Sequence, residues 1–382
     1  MDAVDAPPPP SFLDRCAGVL YCPPDLLARD LSSLLFIVTG ASSGIGRGTA
    51  LRLCAQGAEV VAAVRTPDDS RCAALATECA ALPGTLHVMR IDLASLDSVR
   101  DFARDFRERF CGRGLHCLVN NGGVMATPKG ATTRDGYEMQ IGTNYIGPWL
   151  LTLLMIPALR EAKSKGSSPA LEYAPRVVNV SSSNAVDSGA WTECLTGSHR
   201  ALNLDDPFYT KGRVYDGMAA YAQSKLCQIL HVKELAMRYP ELLSVAVHPG
   251  AVLTHITRTC FPYWIRVVFQ PVEKIFVGQI NGWAGIQSTL YGCLSEGAAL
   301  DNGAFYAQHN SPRGMRGGWP MALDPKRNPQ AMDKSLADRL WRMTRDWAHV
   351  REQEEEEAGR AGENNSGGKN RGESKSLRQR RN

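Results

Sequence analysis

The chain has 382 residues, is 44% hydrophobic and 21% charged, and carries a formal net charge of +4. That is ordinary globular composition with length enough for a large buried core, so a fibrous or wholly disordered chain is excluded. The basic excess is small and no basic–aromatic stripe accompanies it, so no nucleic-acid partner is expected.

The leader comes first. Residues 1–30 are proline-rich and read as an irregular segment. The chain starts with acids and prolines, without a basic start and a long apolar run, so it does not read as a secretory signal. From 31 to 350 the chain reads as one domain in which strand-like and helix-like segments alternate. The strand-like runs are LLFIVT (34–39), EVVAAV (59–64), LHVMRI (86–91), LHCLVN (115–120), PRVVNVS (175–181), LSVAVH (243–248) and the shorter GAFYA (303–307). Most are continuously apolar, as strands covered on both faces must be. Each gap leaves room for a crossover helix, so the expected fold is α/β, a doubly wound parallel sheet.

Between the first run and the next helix stands TGASSGIG (39–46). A helix N-terminus has unpaired N–H groups and the positive end of the helix dipole, and so attracts phosphate. Gly40 permits the tight turn, Gly44 the close approach of a pyrophosphate, and Gly46 close helix–strand packing. Ser42 and Ser43 add hydroxyls, with Ile45 between the last two glycines. A glycine-rich turn in this setting points to nucleotide binding.

TGASSGIG, NNGG (120–123), YAQSK (221–225) and HPG (248–250), in this order, resemble the short-chain dehydrogenase/reductase family over roughly 33–310. The resemblance implies a Rossmann-type sheet of about seven parallel strands in the order 3-2-1-4-5-6-7 and a nicotinamide cofactor. The second strand ends at Val64, followed by Arg65, where an NAD-selective site has an acid for the ribose 2′-hydroxyl. Arg65, with Arg47 beyond the glycine turn, suits a 2′-phosphate, so NADP(H) is expected. By the same resemblance Asp92 and Leu93 lie against the adenine, and Asn120 lines the cofactor pocket. Asp92 also reads as the cap of the following helix. The remaining implied cofactor contacts are Pro249, Gly250 and Thr254 of HPGAVLT, together with Tyr221 and Lys225.

Hydride transfer to a carbonyl leaves charge on oxygen that needs a donor and a proton. Tyr221 and Lys225 form the chain's one YxxxK, four residues apart on one side of a helix. The lysine ammonium would favour the phenolate and lower the tyrosine pKa. By similarity Ser182 of VNVSSSN bonds the substrate oxygen, with Ser181 and Ser183 as open alternatives. Asn144 matches the asparagine of a water-linked proton path to the lysine, or holds a helix distortion in place.

A long insert separates Ser182 from Tyr221 and resembles the retinol-dehydrogenase-like branch. The family's substrate lid falls at about 252–285, where 260–280 is apolar and reads as a pocket wall, a peripheral membrane contact or a core helix pair. A bulky lipophilic carbonyl or alcohol, retinal-like or steroid-like, is the expected substrate. The alternatives are an NADP(H)-sensing binding protein and a protochlorophyllide-reductase-like double-bond reductase. The 11 cysteines show no CxxC pair and the eight histidines no HxxxH, so reduced thiols and no metal site are expected. An intracellular place follows, cytoplasmic or at the surface of an organelle membrane. Residues 351–382 carry charge in blocks with almost no apolar content and read as a disordered tail.

Overall fold

The computed structural model describes residues 21–164, 174–186, 201–250, 252, 282–307 and 328–363. Seven strands form its sheet: β1 Leu35–Thr39, β2 Glu59–Val64, β3 Thr85–Arg90, β4 Cys117–Asn120, β5 Arg176–Val180, β6 Leu243–His248 and β7 Phe305–Ala307. Their order is β3-β2-β1-β4-β5-β6-β7, and every pairing is parallel. All seven expected strands are present and the Rossmann-type sheet is confirmed.

The helices are α1 Gly44–Ala55, α2 Ser70–Cys79, α3 Leu96–Arg109, α4 Gly147–Ser164, α5 Gly217–Arg238, α6 Gly282–Leu294, α7 Lys334–Trp347 and α8 Glu352–Glu363. Residues along each strand alternate between the two faces. Leu35 and Ile37 therefore join the core beneath α3, α4 and α5, while Phe36 and Val38 join the core beneath α1, α2 and α6. β1, β4 and β5 are buried at every position, whereas edge strand β3 is largely part-exposed. Cys54, Cys117 and Cys227 are fully buried, as small hydrophobes in these cores.

Sheet order reverses between β1 and β4. Strand ends diverge at such a point and leave a crevice beyond their carboxyl ends. The glycine turn, the NNGG loop, the serines after β5 and the HPG turn after β6 all lie at that end of the sheet.

Both terminal expectations need correction within the described residues, while 1–20 and 364–382 lie outside them. Within the supposed irregular leader, Pro24–Leu27 forms a helical turn, and Leu26 and Leu27, like Leu31 just beyond the leader, are buried against the α1–α2 side of the sheet. At the other end, the supposed disordered tail continues from Glu352 as α8. Arg100 donates to the Glu354 carboxylate at 2.7 Å and to the carbonyls of Ala348 and His349, Arg107 pairs with Glu357, and Arg345 pairs with Glu355. Arg160 bonds the Ala358 carbonyl, and the Ala358 side chain is buried in the core. One buried alanine and a set of arginines distant in sequence hold a helix that has no apolar periodicity of its own.

Candidate active site

The turn after β1 is built by position-specific glycines. Gly40 has φ +66° and Gly44 φ +56°, the left-handed region that favours glycine. A Cβ at Gly40 would lie 2.8 Å from Gly122 Cα, and one at Gly46 would meet the Gly40 carbonyl oxygen at 2.6 Å. Gly46 is thus the packing glycine. Thr39 Oγ1 accepts from the backbone N–H groups of Asn121 and Gly122, both at 2.9 Å, and Asn121 Nδ2 donates to the Thr39 carbonyl at 2.8 Å. These bonds lock the glycine turn to the NNGG loop across the crevice. Ser43 occupies the N-cap position of α1, yet its side chain makes no capping bond to the first turn. The first-turn N–H groups, with Ser42, Ser43 and Ile45 beside them, are of the kind that could hold an anion.

Arg65 follows β2, is exposed, and has no ion pair among the described residues. Arg47 pairs with Glu78 at 2.5 Å, so its charge is already compensated. Leu93 is buried beside Gly122. Asp92 does not cap the following helix. Ser95 does, accepting from the Ser98 N–H, while the Asp92 carboxylate accepts from the Ala94 N–H at 3.1 Å.

Asn120 has a different place from the one expected. It is fully buried, and its amide donates to Thr152 Oγ1 at 3.0 Å and Asn179 Oδ1 at 2.9 Å, tying β4 to α4 and β5. Its neighbour Asn121 is the one against the glycine turn. Adjacent identical residues at a strand end point to opposite sides, so the dipeptide alone did not distinguish them.

The chain enters α4 through a π-helical turn, Gly142–Ile146. Such a bulge often marks a functional site. Asn144 sits in it, fully buried. Its Oδ1 accepts from the Val124 N–H at 2.8 Å, and its Nδ2 donates to the Val124 carbonyl and to Ser224 Oγ, both at 2.9 Å. The side chain therefore braces the loop after β4 against α5.

After β5, Ser181 Oγ donates to the Lys225 carbonyl at 2.8 Å. Ser182, at the next position, accepts from the Asn184 N–H at 3.3 Å and makes no other side-chain bond among the described residues. Ser183 is the first residue of the short 3₁₀ turn that follows.

Asp216 starts α5, its carboxylate accepting from the N–H groups of Met218 and Ala219 at 2.7 and 3.0 Å. Tyr221 and Lys225 stand one turn apart on it, 6% and 3% exposed. Lys225 Nζ lies 5.6 Å from the centre of the Tyr221 ring and donates to the Val180 carbonyl at 2.8 Å and Gln228 Oε1 at 3.1 Å. Burial alone pushes the Lys225 pKa down, to about 7. Gln228 and Ser224 were not singled out from the sequence. Their spacing on the helix, three residues beyond Tyr221 and Lys225 respectively, the positions they contact, was the available signal.

Pro249 and Gly250 are buried beyond β6, Gly250 with φ +85°. Thr254, the apolar 260–280 segment and most of the expected lid at 252–285 lie outside the described residues. Of the insert, which starts at Asn184, residues 184–186 and the part from 201 are described. Leu202 and Leu204 join the core, and the Tyr215 hydroxyl donates to the Thr127 carbonyl at 2.9 Å. Among the described residues, no helix is long and apolar enough to cross a membrane.

Comparison with known proteins agrees with this architecture. The short chain dehydrogenase family model matches residues 35–203. Mouse retinol dehydrogenase 11 is 35% identical over 274 residues, covering 71% of this chain and 76% of that one. Mouse polyprenol dehydrogenase is 39% identical over 228 residues, covering 58% and 61%. An NADPH-bound carbonyl reductase from chicken fatty liver superposes with TM-score 0.53 at 24% identity, over 73% of this chain and 93% of that one, a likeness of fold. On the identity and coverage shared with these relatives, the chain belongs to the short-chain dehydrogenase/reductase family, in its retinol-dehydrogenase-like branch.

Proposed function

We propose that the protein is an NADP(H)-dependent oxidoreductase that transfers hydride between the nicotinamide and a bulky lipophilic carbonyl or alcohol, with Tyr221 as general acid and base. The observation that carries this reading is the pair on α5. A tyrosine and a fully buried lysine stand one turn apart, with no carboxylate bonded to the lysine among the described residues.

The chain's own groups fit the cofactor. The open N–H groups at the start of α1 suit its pyrophosphate. Arg65 suits a 2′-phosphate, and no acid stands at the end of β2, at Val64 or Arg65, to select the bare ribose. Arg47 contributes less, because Glu78 already holds it. Asn121, Leu93, Pro249 and Gly250 line the crevice around the switch point. When bound, the cofactor supplies or accepts the hydride.

Tyr221 gives its phenolic proton to the carbonyl oxygen as charge develops there, and takes it back in the alcohol direction. Lys225 keeps the phenolate accessible near neutral pH when it is charged, since an adjacent ammonium favours the ionised phenol. Ser182 holds the substrate oxygen, a role supported by the engagement of Ser181 with the helix backbone. Asn144 keeps the loop after β4 and α5 in register beside the lysine. The lipophilic substrate is supported by the retinol and polyprenol named for the relatives.

The test is NADPH oxidation by the purified chain with a polyenal, a steroid ketone, a short aldehyde and a sugar. The expected result is turnover with the first two, faster than with the last two, and preference for NADPH over NADH. Preference for NADH, or for the sugar, would overturn the reading.

A further inference from the structure

Lys225 has three N–H donors, and two are assigned. One goes to the Val180 carbonyl on β5, the other to the Gln228 side chain. The same Gln228 amide turns its Nε2 the other way and donates to the Asn144 main-chain carbonyl at 2.8 Å. That carbonyl belongs to the π-helical turn. Gln228 is 1% exposed, and both ends of its amide are matched to partners of the right polarity. A buried amide flipped end for end would face the ammonium with its NH₂ group and the carbonyl with its oxygen, so the orientation is enforced by both partners.

We infer that Gln228 is a positioning residue: it couples the Lys225 ammonium to the backbone of the π-helical turn and leaves one N–H of the lysine for the tyrosine and the nicotinamide ribose. The catalytic consequence rests on the function proposed above. The structural claim rests on the chain of contacts from Lys225 through Gln228 to Asn144.

The surroundings make the lysine sensitive to this one side chain. Tyr221 is the titratable group that faces it from α5. β5 offers the Val180 carbonyl, the π-helical turn offers Asn144, and the loop after β4 offers Gly123, where a Cβ would lie 3.7 Å from Nζ. His231, one turn beyond Gln228, is directed instead to Asn179 and to the rings of Tyr145 and Trp341. No carboxylate acts on Nζ among the described residues; burial is the cause of its lowered pKa. An acceptor removed from a buried ammonium destabilises the charged form, and a carboxylate supplied there stabilises it.

The experiment titrates Lys225 directly in the cofactor-free protein, by NMR of ¹³Cε-labelled lysine, with the signal assigned by its loss in Lys225→Met. Gln228→Leu is expected to lower the midpoint by about one pH unit, and Gln228→Glu, nearly isosteric, to raise it by at least as much. In the assay, Gln228→Leu is expected to move the pH limb of alcohol oxidation upward, since a lysine that loses its charge earlier no longer favours the phenolate. Midpoints equal to wild type in both variants overturn the inference, whatever the activity. Midpoints that move as stated in a protein without carbonyl reduction support the coupling and overturn the proposed function instead.

Discussion

Lys225 is an ammonium surrounded by neutral acceptors, and its burial has a thermodynamic consequence of its own. Its pKa falls from 10.5 to about 7 in the folded chain. Between those values the unfolded chain binds a proton that the folded one does not. Stability attributable to this residue therefore rises as pH goes from about 7 towards 10, and the burial penalty is fully present below 7. Lys233 on the same helix also has a pKa lowered by burial, so the comparison has to be made against Lys225→Met. The expected outcome is that the stability advantage of Lys225→Met over wild type, measured by urea unfolding, shrinks steadily from pH 7 to pH 10. An advantage independent of pH would contradict the burial of a titrating lysine. Arg65 gives a second test. Arg65→Asp should weaken NADPH binding by roughly 30-fold, about 2 kcal/mol, and improve NADH binding, as read by cofactor fluorescence. Arg176 gives a third, away from the site. It is fully buried at the start of β5 and donates to the carbonyls of Gly292 and Ser295 at the end of α6. A cation there matches the helix dipole and supplies donors to carbonyls that α6 leaves open. Arg176→Met should cost about 3 kcal/mol in urea unfolding, since buried acceptors lose their partner.

Among the elements, strands were the most legible. A strand buried on both faces must be apolar throughout, so the runs at 34–39, 59–64 and 243–248 marked β1, β2 and β6 to within a residue. The glycine turn was legible for a similar reason, because Gly40 and Gly46 answer to steric demands that few other residues meet. The side of the chain to which Asn120 points was not, since it depends on strand register. Gln228 was hidden because its two partners lie on different elements, one of them a backbone carbonyl. α8 was hidden most fully. Its acidic run reads as solvated, and the arginines that hold it sit at 100, 107, 160 and 345. The Arg100–Glu354 pair is 13% and 11% exposed, shielded more than a surface pair. Ending the chain at 350 should therefore lower Tm by about 2–6 °C in calorimetry. High salt should lower the full-length Tm in the same direction, by screening the exposed pairs of the clamp. An unchanged Tm on truncation would show that α8 adds nothing to the fold.

At the scale of the whole molecule, one parallel sheet brings the chemistry together. Its order reverses between β1 and β4, and the crevice there collects groups from four separate strand ends. α5 runs alongside with every side chain from Ala219 to Val232 buried, which keeps Tyr221 and Lys225 fixed relative to those ends. The Thr39 bonds to Asn121 and Gly122 join the two halves across the reversal, and Asn144 braces the loop after β4 against α5. Proton transfer through Tyr221 is the claim on which the functional account depends most. Its most direct test is the single-turnover rate of NADPH oxidation with a lipophilic aldehyde in wild type and Tyr221→Phe, alongside the NADPH dissociation constant of each. The ring is kept and only the hydroxyl is lost, so the rate is expected to fall by about 10²-fold or more with nearly unchanged NADPH binding. A Tyr221→Phe variant that turns over at the wild-type rate would contradict that claim.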